Sequence, residues 1–150
     1  MEKPEDYLRE VLLSFRDIHQ ETRGILNTAA LEKDITIVQL HVANIIKTHP
    51  GITSVEVAKE MRLGKSTISG IISRMIDGGH VLKTPSDQDA RSYGLTLTES
   101  GKEKVKATYD IYLKYLLPIL DVPREDLAQL LTIHQQILTI IDEVKANGTF

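Results

Sequence analysis

Cysteine is absent from all 150 residues, which rules out disulfides, thiolate metal sites and thiol-based oxidation sensing by this chain. Long apolar runs are also missing. None approaches the roughly 18 residues needed to span a membrane, and the N-terminal MEKPEDYLRE is charged where a secretory signal would be apolar. A cytoplasmic location is the resulting expectation, with no membrane partner. No recognised catalytic pattern occurs: there is no G-x-S-x-G, no H-E-x-x-H and no phosphate-binding glycine loop. An enzyme is therefore not expected. Nor is there an excess of positive charge. Lys and Arg number 18 against 21 Asp and Glu, a net charge of −3, which argues against a protein that coats DNA by neutralising phosphates.

With a hydrophobic content of 41%, a chain of this length can bury a substantial core. Its most informative stretch runs from Thr53 to Gly101. Thr53 with Glu56 three residues on is a capping box, in which each side chain satisfies a backbone N–H at a helix start. Val57, Ala58 and Met61 then share one helical face. That short helix stops near Met61, before a turn, Arg62-Leu63-Gly64, in which glycine is expected to supply the unusual conformation. Ile68, Ile71, Ile72 and Met75 next recur at the spacing of an amphipathic helix, predicted over Lys65 to Asp77. Two helices joined by a tight turn form a helix-turn-helix, and the second would be its recognition helix.

At about 100° per residue, Ser66, Gly70, Ser73 and Asp77 fall opposite the apolar stripe, with Thr67, Ser69 and Arg74 on its flanks. A small, hydroxyl-rich face suits a helix pressed into a DNA major groove, because hydroxyls can bond base edges or phosphates and Gly70 lets the backbone approach closely. Ser66, Thr67, Ser69 and Ser73 are accordingly assigned to the major groove. Lys65 and Arg74 are assigned to phosphates or a guanine. Serines on an exposed helix are more often merely solvated, and here the neighbouring segments tip the balance.

Gly78-Gly79 ends the helix, glycine supplying a left-handed cap. His80 to Lys83 reads as a strand, followed by a loop containing Pro85. Ser92 to Leu97 alternates as a second, antiparallel strand, and Thr98 caps the next helix. The hairpin is a wing. From Ile52 to Thr98 there are six Lys or Arg against five Asp or Glu, so the flanking helices carry the acidity.

This order of elements, with Asp89-Ala90-Arg91 in the wing and Leu97-Thr98-Glu99-Ser100-Gly101 closing the second strand, resembles the MarR family of transcriptional regulators. That family carries Asp-x-Arg in its wing and Leu-Thr-x-x-Gly after it. The resemblance implies that Arg91 reaches into a minor groove and that Asp89 orients it. A narrow A·T-rich groove concentrates negative potential and so attracts arginine. Without the flanking pattern, Asp89 and Arg91 would read as an ordinary exposed ion pair. Some relatives sense peroxides through a thiol, which this chain lacks. Some zinc-sensing relatives gather histidines around helices 2 and 5, but Gly101 to Leu120 contains none, so neither a metal site nor a cofactor is expected.

The remaining sequence is helical. Leu8, Leu12, Phe15, Ile18, Ile25 and Leu26 follow a helical face from Glu5 to about Ala29, interrupted near Gly24. A second helix, Ile35 to Lys47, is apolar around most of its circumference and should be well buried. A fifth runs from Glu99 towards Pro118, and a last one follows Pro123 with an apolar stripe wider than one face. A stripe that wide needs more cover than one lobe provides, and a subunit interface would supply it. The resemblance points the same way, to an obligate dimer of helices 1, 5 and 6. His19, Arg16, Arg23, His41 and Tyr109 are polar residues on helices 1, 2 and 5 that could face an effector pocket, but each is read as structural or solvated and is left out as a site.

The expected fold is thus mainly α with a small β-hairpin wing: a winged helix-turn-helix over residues 35–98, flanked by dimerisation helices over 1–34 and 99–150. The expected function is a homodimeric repressor of an inverted-repeat operator in double-stranded DNA, released by a small-molecule effector. The alternative is a winged-helix protein-interaction module.

Overall fold

The computed structural model describes residues 3–85 and 92–148. Its described elements are helices α1 (Pro4–Glu32) and α2 (Ile37–Thr48), strand β1 (Ile52–Thr53), helices α3 (Ser54–Met61) and α4 (Lys65–Asp77), and strands β2 (Val81–Pro85) and β3 (Tyr93–Leu97). Helix α5 (Glu99–Leu116), a 3-10 turn (Leu117–Asp121) and helix α6 (Arg124–Ala146) follow. The expected class, mainly helical with a small wing, is the one observed. Contacts divide the chain into two compact units, Met1–Lys114 and Tyr115–Phe150.

In the first unit the core is a single cluster built where α2, α3 and α4 meet the sheet and α5. Leu40, Ile46, Val57, Ile68, Val81, Leu95 and Val105 are almost wholly removed from solvent. Each such aliphatic side chain contributes about 1.5–3 kcal/mol relative to exposure. Helix α2 carries four buried residues, Leu40, Val42, Ala43 and Ile46, which explains its wide apolar circumference. It begins two residues later than the apolar pattern alone indicates. Thr36 and Gln39 form a reciprocal capping box that sets the start, with Gln39 N–H donating to Thr36 Oγ1 at 3.1 Å. Helix α1 runs unbroken through Gly24, so the interruption expected there is one of the apolar face and not of the helix. Asp34, at φ 53°, closes its C-terminal turn while Ile35 N–H donates to Ala30 O. Aspartate tolerates this left-handed conformation better than most residues.

The sheet has the order β1-β3-β2, all antiparallel. Its two-residue strand β1 is too short to show in the sequence. Ile52 pairs with Leu95 and Thr53 with Gly94, which anchors the start of α3 to the wing. A side chain at Gly94 would put its Cβ 2.9 Å from the Gly51 carbonyl oxygen, so only glycine admits β1 to this register. Pro85 belongs to β2, opposite Tyr93, and not to the loop. Proline is tolerated there because β2 is an edge strand with no second neighbour needing its N–H. His80 precedes the strand.

In the second unit, Pro123 is the N-cap of α6, one residue ahead of the first turn expected for it. No residue of α6 is buried, and Leu131 and Ile140 are 70% and 58% exposed. Among the described residues, no helix is long and apolar enough to cross a membrane.

Candidate nucleic-acid interface

The capping box that starts α3 forms as expected. Thr53 N–H donates to Glu56 Oε2 at 2.8 Å, and Glu56 N–H donates to Thr53 Oγ1 at 3.3 Å. These donors, the backbone N–H first and the Thr53 hydroxyl second, hold the Glu56 carboxyl below the usual carboxylate range. The turn that follows differs from expectation. Its left-handed residue is Arg62, at φ 53°, whose N–H and that of Leu63 close back on Lys59 O and Ala58 O. Gly64 has an ordinary extended conformation and serves as the N-cap of α4. The two hydrogen bonds of this helix-ending motif compensate a non-glycine residue for its left-handed backbone.

Helix α4 spans Lys65–Asp77, the range that periodicity predicts. Ile68, Ile72 and Met75 are buried, and Ile71 partly so. Lys65, Ser66, Thr67, Ser69, Gly70, Ser73, Arg74 and Asp77 are all exposed. The hydroxyls of this face are also unspent. Elsewhere, Thr22, Thr28, Thr48, Thr108, Thr132 and Thr139 each turn their hydroxyl back onto the carbonyl four residues earlier. Among the described residues, Ser66, Thr67, Ser69 and Ser73 make no such bond, leaving donors and acceptors free for an external partner.

At the far end of α4, Gly79 takes φ 76° and His80 N–H reaches back to Met75 O at 2.9 Å. This end is tied to α5 by the Leu97-Thr98-Glu99-Ser100-Gly101 segment. Thr98 N–H donates to His80 O at 3.1 Å, and Thr98 Oγ1 donates to Gly79 O at 2.6 Å. The same hydroxyl accepts from Gly101 N–H at 3.0 Å, capping α5. The motif therefore works as a clasp between the recognition helix and α5. His80 Nδ1 lies 3.2 Å from Ser100 Oγ, and partial burial, then the charge of Lys104, lowers the imidazole pKa. Asp89 and Arg91 lie outside the described residues.

The unit also holds two grooves, the first of them unforeseen in the sequence. A groove of about 430 Å³ separates α4 from the hairpin, with Ser69, Ser73, Lys83 and Tyr93 among its walls. Hydropathy offers little signal for it, because a lone lysine in a strand reads as an edge charge. A second cleft, of about 440 Å³, gathers His19, Arg23, His41 and Tyr112 over Leu26, Ile37 and Val38. Two of the polar residues set aside do have structural partners: Arg16 pairs with Asp17, and Tyr109 accepts from Asn44 Nδ2 at 2.6 Å. His19, Arg23 and His41 come together only through folding. Burial first, and the Arg23 charge second, hold the His41 imidazole below its ordinary range.

Residues 33–92 match the model of the MarR family. An uncharacterised HTH-type transcriptional regulator of Bacillus subtilis, YfiV, is 27% identical over a region covering 53% of this chain and 50% of that protein. The transcriptional activatory protein BadR of Rhodopseudomonas palustris is 31% identical, covering 47% and 52%. The chain thus spans about half the length of the curated relatives it matches. Among solved structures, the multiple antibiotic-resistance repressor of Listeria monocytogenes superposes with a TM-score of 0.75 at 19% identity, over 95% of this chain and 99% of the other. A mutant of Staphylococcus aureus MepR bound to an oligodeoxyribonucleotide superposes with a TM-score of 0.65 at 22% identity, over 93% and 99%. These likenesses establish the winged-helix fold.

Proposed function

Residues 33–92 match the MarR family, and from that likeness we propose that the chain is a MarR-type DNA-binding transcriptional regulator acting as a homodimer on an inverted repeat. The observation that carries this reading is the exposed face of α4, whose four hydroxyls make no hydrogen bond among the described residues. Ser66, Thr67, Ser69 and Ser73 face the major groove, Lys65 and Arg74 take phosphates or a guanine, and Arg91 enters the minor groove with Asp89 orienting it. The oligodeoxyribonucleotide bound by a mutant of MepR, a protein of the same fold, supports the DNA-binding reading.

Residues 35–98 are the DNA-binding part, and 1–34 with 99–150 supply the dimer. Leu8, Leu12 and Ile18 of α1 and, separately, Leu131, Leu138 and Ile140 of α6 are all more than half exposed, apolar surfaces that each call for a partner. A two-fold dimer presents two copies of α4, reading half-sites about 34–36 Å apart. The regulator acts as a repressor released by a small-molecule effector, for which the cleft of His19, Arg23, His41 and Tyr112 is the seat. Its cationic and imidazole groups over an apolar floor favour a small anion with an apolar body. Release is a population shift, in which the effector binds the DNA-incompetent arrangement better, tenfold for about 1.4 kcal/mol of difference.

The test is selection of bound duplexes from random DNA, then footprinting across a salt series with Arg91→Ala alongside. A protected palindrome is expected, weakened by salt, and by about 1–3 kcal/mol in the variant. A folded dimer that enriches no duplex at any salt would sink the reading.

A further inference from the structure

We propose that Lys83, seated on the ring of Tyr93, is a built contact for the DNA backbone, and that the groove between α4 and the β2–β3 hairpin receives a phosphodiester of the duplex that α4 reads. This inference rests on the regulator reading above.

The hairpin register carries the first step. Val81 pairs with Leu97, Lys83 with Leu95 and Pro85 with Tyr93, so Lys83 and Tyr93 are diagonal neighbours on one face of the hairpin. That face sends Val81, Leu95 and Leu97 into the core. Towards the tip it passes the edge of the core, where Lys83 is exposed and Tyr93 is 49% exposed. Lys83 Nζ there stands 4.5 Å from the centroid of the Tyr93 ring. The electron-rich ring face attracts the ammonium, confining a stem that would otherwise sample many rotamers.

The groove supplies the second step. Among the described residues its apolar surface comes from Val55, Ile72, Ile76, Leu95 and the Tyr93 ring, and its polar lining consists of hydroxyls together with the Lys83 ammonium. Among the described residues no carboxylate lines it. The nearby Glu56 carboxylate is engaged by the Thr53 N–H and hydroxyl, at 2.8 and 3.0 Å. Among the described residues the lining offers one cation among hydroxyls and no carboxylate, a chemistry that receives a phosphate.

Ser69 and Ser73 provide the third step, because they line this groove and also belong to the outward face of α4. A helix with its side chains is about 10–12 Å across and nearly fills a major groove about 12 Å wide, so whatever stands on the flank of α4 meets the phosphate strand. Lys83 stands on that flank. A lysine in this position contributes charge without reading sequence.

The test uses the full-length protein, the duplex selected above and a random duplex of equal length, followed by fluorescence anisotropy from low to high salt. Lys83→Met should weaken both duplexes alike, by about tenfold near physiological salt, and lower the salt slope by about one per protomer. Lys83→Arg should retain both properties, and Tyr93→Leu should fall between them. Since Lys83 is exposed, equal thermal midpoints will show that the variants are folded. Unchanged affinity and slope in Lys83→Met would overturn the inference while leaving the regulator reading intact. A loss confined to the selected duplex would also overturn it, by assigning Lys83 to a base. If the unaltered protein selects no duplex, the regulator reading fails first and takes this one with it.

Discussion

Replacing Gly101 by alanine should disrupt the clasp that joins the recognition helix to α5. A Cβ at this position would lie 2.2 Å from the His80 carbonyl oxygen and 3.1 Å from its carbon. Atoms in ordinary contact stand about 3.5 Å apart, so His80 and α5 would have to separate by roughly 1 Å. Three hydrogen bonds cross or cap this junction: Thr98 N–H to His80 O, Thr98 Oγ1 to Gly79 O, and Gly101 N–H to Thr98 Oγ1. Losing them costs about 0.5–1.5 kcal/mol each. Overpacking the backbone adds about 1–3 kcal/mol, and the better helix propensity of alanine returns about 0.5–1 kcal/mol. The net expectation is a destabilisation of about 1.5–7 kcal/mol, or roughly 3–28 °C in Tm for a chain of this length. Urea unfolding followed by circular dichroism, at one fixed protomer concentration because association adds to stability, measures it. Gly24→Ala is the control, since nothing lies within 4 Å of its added Cβ. It should gain about 0.5–1 kcal/mol. If Gly101→Ala is as stable as the unaltered chain, the clasp does not hold these elements together.

Gly70→Ala separates stability from DNA binding. Its Cβ would meet nothing within 4 Å, so the free protein should gain about 0.5–1 kcal/mol, yet affinity for the selected duplex should fall because the added methyl blocks close backbone approach. Equal affinity would remove Gly70 from the interface. His80 predicts a pH dependence. Its folded pKa is lowered by burial and by Lys104, so the unfolded chain binds the proton more readily. This contribution is fully present above the ordinary histidine value of 6.5 and is lost as pH falls through the lowered folded value. The stability difference between pH 7.5 and acid, by urea unfolding, should therefore shrink in His80→Gln; an equal or larger difference would refute the assignment.

Local pattern made some elements legible and left others hidden. The span of α4 could be read to the residue because its apolar spacing, its flanking glycines and its polar face are all properties of thirteen consecutive residues. The same holds for the Thr53–Glu56 box, whose partners are three residues apart. Strand β1 could not be read, since two residues carry no alternation and its existence depends on Leu95 and Gly94, some forty residues away. The left-handed residue of the turn was misplaced for a related reason. Glycine is favoured by intrinsic preference, but Arg62 is held there by hydrogen bonds to Ala58 and Lys59. Pro85 reads as a loop residue until the sheet order shows that its strand is an edge.

By itself, then, the sequence determined the helices, the hairpin, the hydroxyl face of α4 and the resemblance carried by Asp89, Arg91 and the segment from Leu97 to Gly101. Periodicity, capping and motif order act over a few residues and need no knowledge of what packs where. Tertiary structure alone decided that Gly101 must be glycine because the His80 carbonyl lies against it, and that Lys83 rests on Tyr93 beside α4. It alone gathered His19, Arg23 and His41 at one cleft. Each of these joins residues distant along the chain, and such proximity exists only once burial of the shared core has brought their elements together.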